Sequence, residues 1–274
     1  MVIHSKPGVL HSQPAKRDPG LELLCHRRLQ HALAGMAGRI LVCGGLYLDV
    51  KLEVSAYPRE DTTCTCHAVS KARGGNSANT AVVLAELLPL VSVWWVGAVP
   101  VPATDPDAAF VLDALRRAGV ETDLREEVSG CGLPTAYITV SRSTGSRTIV
   151  STRNGLRELS PAHFSTALSA DPAAWRWCHL ECRQLPAVLH MAQAWADHAQ
   201  RGAGLSVEVE KPSLNPTDLL PLLPLCDLLV FSRDFVEAHA ADVVSILHYK
   251  IRPLLRYYPP PHAASEVVRI IRVE

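Results

Sequence analysis

"SKARGGNSANTAVVLAELL", Ser70–Leu88, runs from a basic segment through two adjacent glycines and two asparagines three apart into an apolar stretch. From Asn79 to Leu88 the apolar positions have helical character, which predicts a buried helix. Gly74 and Gly75 predict the turn that leads into it. The first backbone N–H groups of a helix have no intrahelical acceptor. Asn76 and Asn79, set behind a glycine turn, therefore sit where a chain can offer both backbone and side-chain amides to a polar ligand. The same asparagines would also serve as plain helix caps.

Upstream, "RILVCGGLYLDVKLEV" (Arg39–Val54) is continuously apolar and then alternates, as a buried parallel strand followed by a half-exposed one does. "SAYPREDTTCTCHAVSKARGG" is polar, with Thr and Cys alternating, and predicts short exposed strands and turns. Downstream, strand and helix patterns alternate. "DPDAAFVLDALRRAGV" (Asp105–Val120) has an Asp-Pro start and a Gly stop. "TAYITVS" and "RTIVST" flank a hairpin signal, and "WRWCHLEC", "LSVEVE" and "CDLLVFS" predict buried strands. This alternation predicts an α/β fold, a mostly parallel sheet covered on both faces. Polar lid strands at about 50–72 and 135–150 would stand outside it. Thr80–Val101 is almost long enough to cross a bilayer, but Glu86 and Pro89 break it into helix, turn and strand.

The 274 residues are 48% apolar and 20% charged with zero formal net charge, so bulk charge points to neither nucleic acid nor an anionic membrane, and neither is expected as a partner. Eight irregularly spaced cysteines form no disulfide framework and predict reduced thiols in a cytoplasmic protein. Cys64-x-Cys66 and Cys178-His179-x-x-Cys182 invite a zinc reading, but a tight Cys-x-x-Cys knuckle is lacking and no metal is expected. "RGAGL" (Arg201–Leu205) predicts a helix C-cap. Residues 1–38 carry no secretory signal and predict a disordered extension. Residues 39–246 hold the domain pattern. Residues 247–274 diverge from it, with a Pro-Pro-Pro run that no ordinary helix crosses.

The strings "GGLYLDV", "AYPRED", "ARGGNSAN", "SRTIV", "WCHLECR" and "LSVEVEKP" occur in the order found in the ketohexokinase branch of the ribokinase-like (PfkB) sugar kinases, which this chain resembles from about Arg39 to Ala241. The resemblance implies a three-layer α/β/α sandwich with a small β-sheet lid. It implies transfer of the ATP γ-phosphoryl group, with Mg²⁺, to O1 of a ketose such as fructose, and a homodimer formed through the lid. It implies that Asp49, Gly75, Asn76 and Asn79 bind the sugar hydroxyls. Asp61 would reach into the sugar site of a partner subunit, and Arg147 would lie near the nucleotide phosphates. By pattern alone Asp49 and Asp61 read equally as turn residues, and Arg147 as a hairpin arginine.

The resemblance also implies a late Gly-Ala-Gly-Asp motif whose amides hold phosphoryl oxygens and whose Asp takes the hydroxyl proton. No glycine follows Gly204 and no aspartate follows Asp242. The expectation is a kinase-like chain without a catalytic base, inactive alone, with part of its sheet uncovered and little stability as a monomer. Its alternative is a non-catalytic partner that pairs lids with a complete kinase.

Overall fold

The computed structural model describes residues 38–170, 175–198 and 202–239, and the backbone of 272–273. The extension expected at 1–38, apart from Gly38, and most of the tail thus lie outside the described residues. The strands are β1 (Arg39–Cys43), β2 (Tyr47–Val54), β3 (Ala68–Gly74), β4 (Ser92–Val96), β5 (Ala98–Pro100), β6 (Val120–Glu121), β7 (Glu126–Val128), β8 (Thr135–Ser141), β9 (Arg147–Thr152), β10 (Trp175–Glu181), β11 (Gly204–Val209), β12 (Leu228–Ser232) and β13 (Arg272–Val273). The helices are α1 (Asn76–Leu87), α2 (Pro106–Arg117), α3 (Pro161–Ser169), α4 (Leu185–His198) and α5 (Arg233–Ala238), with a 3-10 helix at Pro216–Leu222.

The central sheet is parallel, in the order β13-β12-β11-β10-β1-β4-β6. Strands β1 and β4 are largely apolar on both faces, as a doubly covered parallel sheet requires, whereas β10 and β11 turn His179, Glu181, Ser206 and Glu208 to one face. Leu41, Cys43, Cys178, Leu180, Leu205 and Phe231 form one core with Phe164 of α3, Val188 and Trp195 of α4, Leu219 of the 3-10 helix and Phe235 of α5. The opposite face packs under α1, where the Trp95 indole N–H donates to Ser77 Oγ at 3.2 Å. Beyond α1 that face carries the half-buried Trp177, Leu228 and Val230.

A second sheet, in the order β3-β2-β8-β9, mixes antiparallel and parallel pairs. It grows from the same chain as the central sheet, since only Gly44, Gly45 and Leu46 separate β1 from β2. Strands do occur at both predicted lid segments. The Thr-Cys alternation, however, forms no strand: residues 55–67 are an irregular connection, bent at Ser55-Ala56 and turning at Glu60-Asp61, where Asp61 has φ 56°. Cys64 and Cys66 therefore share no strand face. Among the described residues no group of three or more His, Cys, Asp or Glu could hold a metal ion.

Helix α1 begins at Asn76, three residues before the apolar periodicity starts. Its N-cap is Gly75, with φ 99° and no side-chain capping bond. A Cβ on Gly75 would strike the Gly45 carbonyl, so only glycine fits there. The Asp-Pro start of α2 is as expected: the Asp105 carboxylate accepts from Ala108 N–H at 2.8 Å. Helices α3 and α5, which the apolar pattern does not announce, are capped in the ordinary way by Ser160 and Ser232.

Candidate functional site: a polar cradle at the root of the lid

Four segments converge where β1 ends: the Gly44–Leu46 junction, the start of β2, the Gly74-Gly75 turn into α1, and the end of β10. Asp49 lies on β2 opposite Ala72 of β3. Its carboxylate stands so close to Gly74 that a Cβ there would collide with it. Burial pushes the Asp49 carboxyl above its ordinary value, while the charges of Arg73 and Arg147 pull it back. Half-buried Arg73 is in turn pushed down by burial and held up by Asp49 and Glu86.

The two asparagines of α1 do not cap it. Asn79 Oδ1 accepts from Arg73 Nη1 at 2.6 Å. Asn76 Nδ2 donates to Glu208 Oε1, on the end of β11, at 3.4 Å. The capping reading is therefore set aside: both amides are held from outside the helix, by a cation and by a carboxylate.

The structure brings Asp49, Gly75, Asn76 and Asn79 together. Asp61 is not part of this cluster, being exposed on the 55–67 connection. Arg147 opens β9, exposed, and reaches Asp49 by its charge alone.

Pattern reading missed a buried ionic network beneath the cradle. Glu181 ends β10 and is 4% exposed. Its Oε2 accepts the Gly45 N–H at 2.8 Å, and its Oε1 accepts from Arg183 Nη1 at 2.6 Å. Arg183 also donates from Nε to Glu158 Oε1 at 2.9 Å and from Nη2 to the Tyr47 hydroxyl at 2.7 Å. Burial works against the Arg183 charge, but Glu181, Glu158 and Tyr47 outweigh it and hold the guanidinium above its ordinary range. The signal in sequence was slight: a glutamate closing an apolar strand, with an arginine two residues on.

A cluster of fixed amides and carboxylates beside backbone brought close by glycine is suited to a polyhydroxylated ligand. Each hydroxyl both donates and accepts, and such a site discriminates by leaving its own polar groups unpaired when a hydroxyl is missing.

The fold is shared with solved sugar and nucleoside kinases. Ribokinase from Giardia lamblia superposes with TM-score 0.63 at 19% identity, over 78% of this chain and 66% of that one. Fructokinase with bound ATP from Xylella fastidiosa gives TM-score 0.57 at 20% identity, over 79% and 69%. In sequence, mouse (Mus musculus) ketohexokinase is 28% identical over 204 residues. That match takes in 73% of this chain and spans 65% of the length of the mouse protein. Residues 38–240 match the pfkB family carbohydrate kinase model, and they contain the junction, the lid and the cradle; the chain belongs to that family.

Proposed function

We propose that the cradle binds a ketose of the fructose type, with Asp49, Asn76, Asn79 and the Gly75 backbone taking its hydroxyls. The single observation that carries this reading is that Asn76 and Asn79 stand on the first turn of α1 without capping it. ATP, with Mg²⁺, is the phosphoryl donor this reading assigns, and Arg147 is its contact for the phosphates. The Mg²⁺ would come with the nucleotide, since that ion is ordinarily held by one or two carboxylates plus phosphate oxygens.

Phosphoryl transfer also needs an anion hole and a base for the attacking hydroxyl. No Gly-Ala-Gly-Asp occurs after residue 230, and we assign no residue to either role. The proposal is therefore a ketose-binding chain without turnover of its own. Fructose should raise the thermal midpoint, because a ligand that binds only the folded form stabilises it. ADP release with fructose and ATP should be absent, and should appear in a chain carrying the Gly-Ala-Gly-Asp segment of a complete relative. No shift at saturating fructose would overturn the sugar reading, and turnover by the chain itself would overturn the inactivity.

A second reading rests on a separate observation. Val69, Tyr137 and Val150 are 59%, 47% and 65% exposed, and the strand register puts them on one face of the lid, Tyr137 beside Val150 and Val69 two residues off that pair. Such a face fits pairing with a second lid, of the same chain or of a complete kinase, with Asp61 carried toward the partner's cradle.

A further inference from the structure

His179, in the middle of β10, is 8% exposed, and the cradle contacts above do not use it. Its Nδ1 lies 2.9 Å from Ser206 Oγ across the β10/β11 pair. Its Nε2 is buried and has no hydrogen-bond partner, yet sits 3.5 Å from Glu208 Oε2. Ser206 Oγ also accepts from the Trp177 indole N–H at 2.8 Å and lies 3.4 Å from the Cys178 carbonyl.

The protons in this row follow from its chemistry. Trp177 can only donate, so one lone pair of Ser206 is spoken for. The Ser206 hydroxyl proton goes to His179 Nδ1 or to the Cys178 carbonyl. With it on Nδ1, neutral His179 carries its own proton on Nε2, facing Glu208. With it on Cys178, Nδ1–H donates to Ser206. A proton on Nε2 then makes the ring a cation paired with Glu208, whereas the neutral Nδ1–H tautomer would turn a lone pair toward the carboxylate. The coherent states therefore share an Nε2–H directed at Glu208 Oε2. The charged group beside this histidine is Glu208, while Glu181, two residues along β10, is committed to Arg183 and Gly45.

Glu208 then has one oxygen toward His179 and the other toward Asn76. A carboxylate can only accept, so Asn76 must present its nitrogen to Glu208 and keep Oδ1 for a ligand. An arginine can only donate, so Asn79 must present its oxygen to Arg73 and keep its Nδ2 donors for a ligand. The two amides are thus set in opposite senses, one offering an acceptor and the other a donor, and sugar hydroxyls can meet both.

We propose that His179 is a positioning residue of the cradle: through Glu208 it fixes the Asn76 amide with its oxygen toward the ligand. The statement about the ligand rests on the ketose reading; the one about Asn76 does not. Two variants separate the ring nitrogens. In His179→Gln the amide nitrogen can replace Nε2 and still reach Glu208. In His179→Asn the shorter amide replaces Nδ1, keeps Ser206 and loses Glu208.

The first measurement needs no sugar: the side-chain NH₂ resonances of Asn76 in ¹⁵N-labelled protein, assigned through Asn76→Ala. They should move in His179→Asn and stay in His179→Gln. Unmoved resonances in His179→Asn, or equal shifts in both variants, would overturn the proposal. The second is titration with D-fructose and its monofluoro-deoxy analogues, in which fluorine cannot donate. One analogue should bind wild type about tenfold more weakly than fructose, and that ratio should collapse in His179→Asn and return in His179→Gln. A ratio unchanged in His179→Asn would sink the proposal. If the resonances move as expected and fructose does not bind wild type, the ketose reading falls and the positioning role stands.

Discussion

Asp49 shows how far a single residue could be read ahead of the structure. Its place in "GGLYLDV" marked it as a candidate, but pattern could not say what surrounds it. Gly74, two residues along β3 from Ala72 opposite, leaves the carboxylate room, and burial pushes its pKa up. A carboxyl whose folded pKa lies above its unfolded value favours the folded state most below that unfolded value. This advantage is lost as pH rises through the folded pKa. At neutral pH the ionised Asp49 is therefore a cost that a ligand must offset. Asp49→Asn should raise the thermal midpoint of the unliganded chain at pH 7 and weaken fructose binding by about tenfold or more. Fluorimetry with and without fructose checks both. A lower midpoint would mean that the carboxylate serves the fold. Glu181, Arg183, Glu208 and His179 were not legible one by one. They become neighbours only through the parallel register of β10 with β1 and β11, and no local period encodes which strands lie side by side.

Among the elements, the long periodic ones were legible and the short capped ones were not. Helix α2 announces itself by Asp105, Pro106 and an apolar face, while α1 starts early because Gly75 gives no side-chain signal. The Thr-Cys segment alternates like a strand but pairs with nothing, and alternation without a partner does not make a ladder. The clamp between β7 and the start of α3 was also invisible. Glu126, 8% exposed, accepts Arg157 Nη1 and Nη2 at 2.8 and 2.7 Å, and Ser160 N–H and Oγ at 2.9 and 2.7 Å. Burial would raise its pKa, but these bonds outweigh burial and hold it at about 2 instead of 4.5. A depressed carboxylate contributes stability above its unfolded pKa that is lost as pH falls through the folded one. The clamp should thus contribute on the order of 3 kcal/mol at pH 7 and lose it between about pH 4.5 and 2. Urea midpoints measured from pH 7 to pH 3 should fall more steeply for wild type than for Glu126→Gln. Parallel curves would assign the acid loss to other groups.

For the molecule as a whole, the sequence order of strands and helices was enough for a parallel sheet with a lid. It could not supply the strand order β12-β11-β10-β1-β4-β6, which crosses over between β10 and β1. The exposed Val69, Tyr137 and Val150 belong to this level too, since the four strands β3, β2, β8 and β9 must come together before these side chains share one face. Tyr137→Lys should shift the chain from dimer to monomer, read by light scattering on a sizing column, and leave its thermal midpoint within a few degrees. A wild-type chain that is monomeric at high concentration would remove the lid-pairing reading.

The joint between the two sheets is only Gly44, Gly45 and Leu46, and one amide proton lies at its centre. Gly45 N–H is given to Glu181, the same carboxylate that anchors Arg183 and, through it, Tyr47 at the foot of β2. That proton is held by a buried carboxylate as long as the joint holds. Its hydrogen–deuterium exchange should therefore follow separation of lid from sheet, slowly in wild type and faster by roughly an order of magnitude in Arg183→Met, where a buried carboxylate loses its partner. One slow proton would then serve as a clock for the hinge.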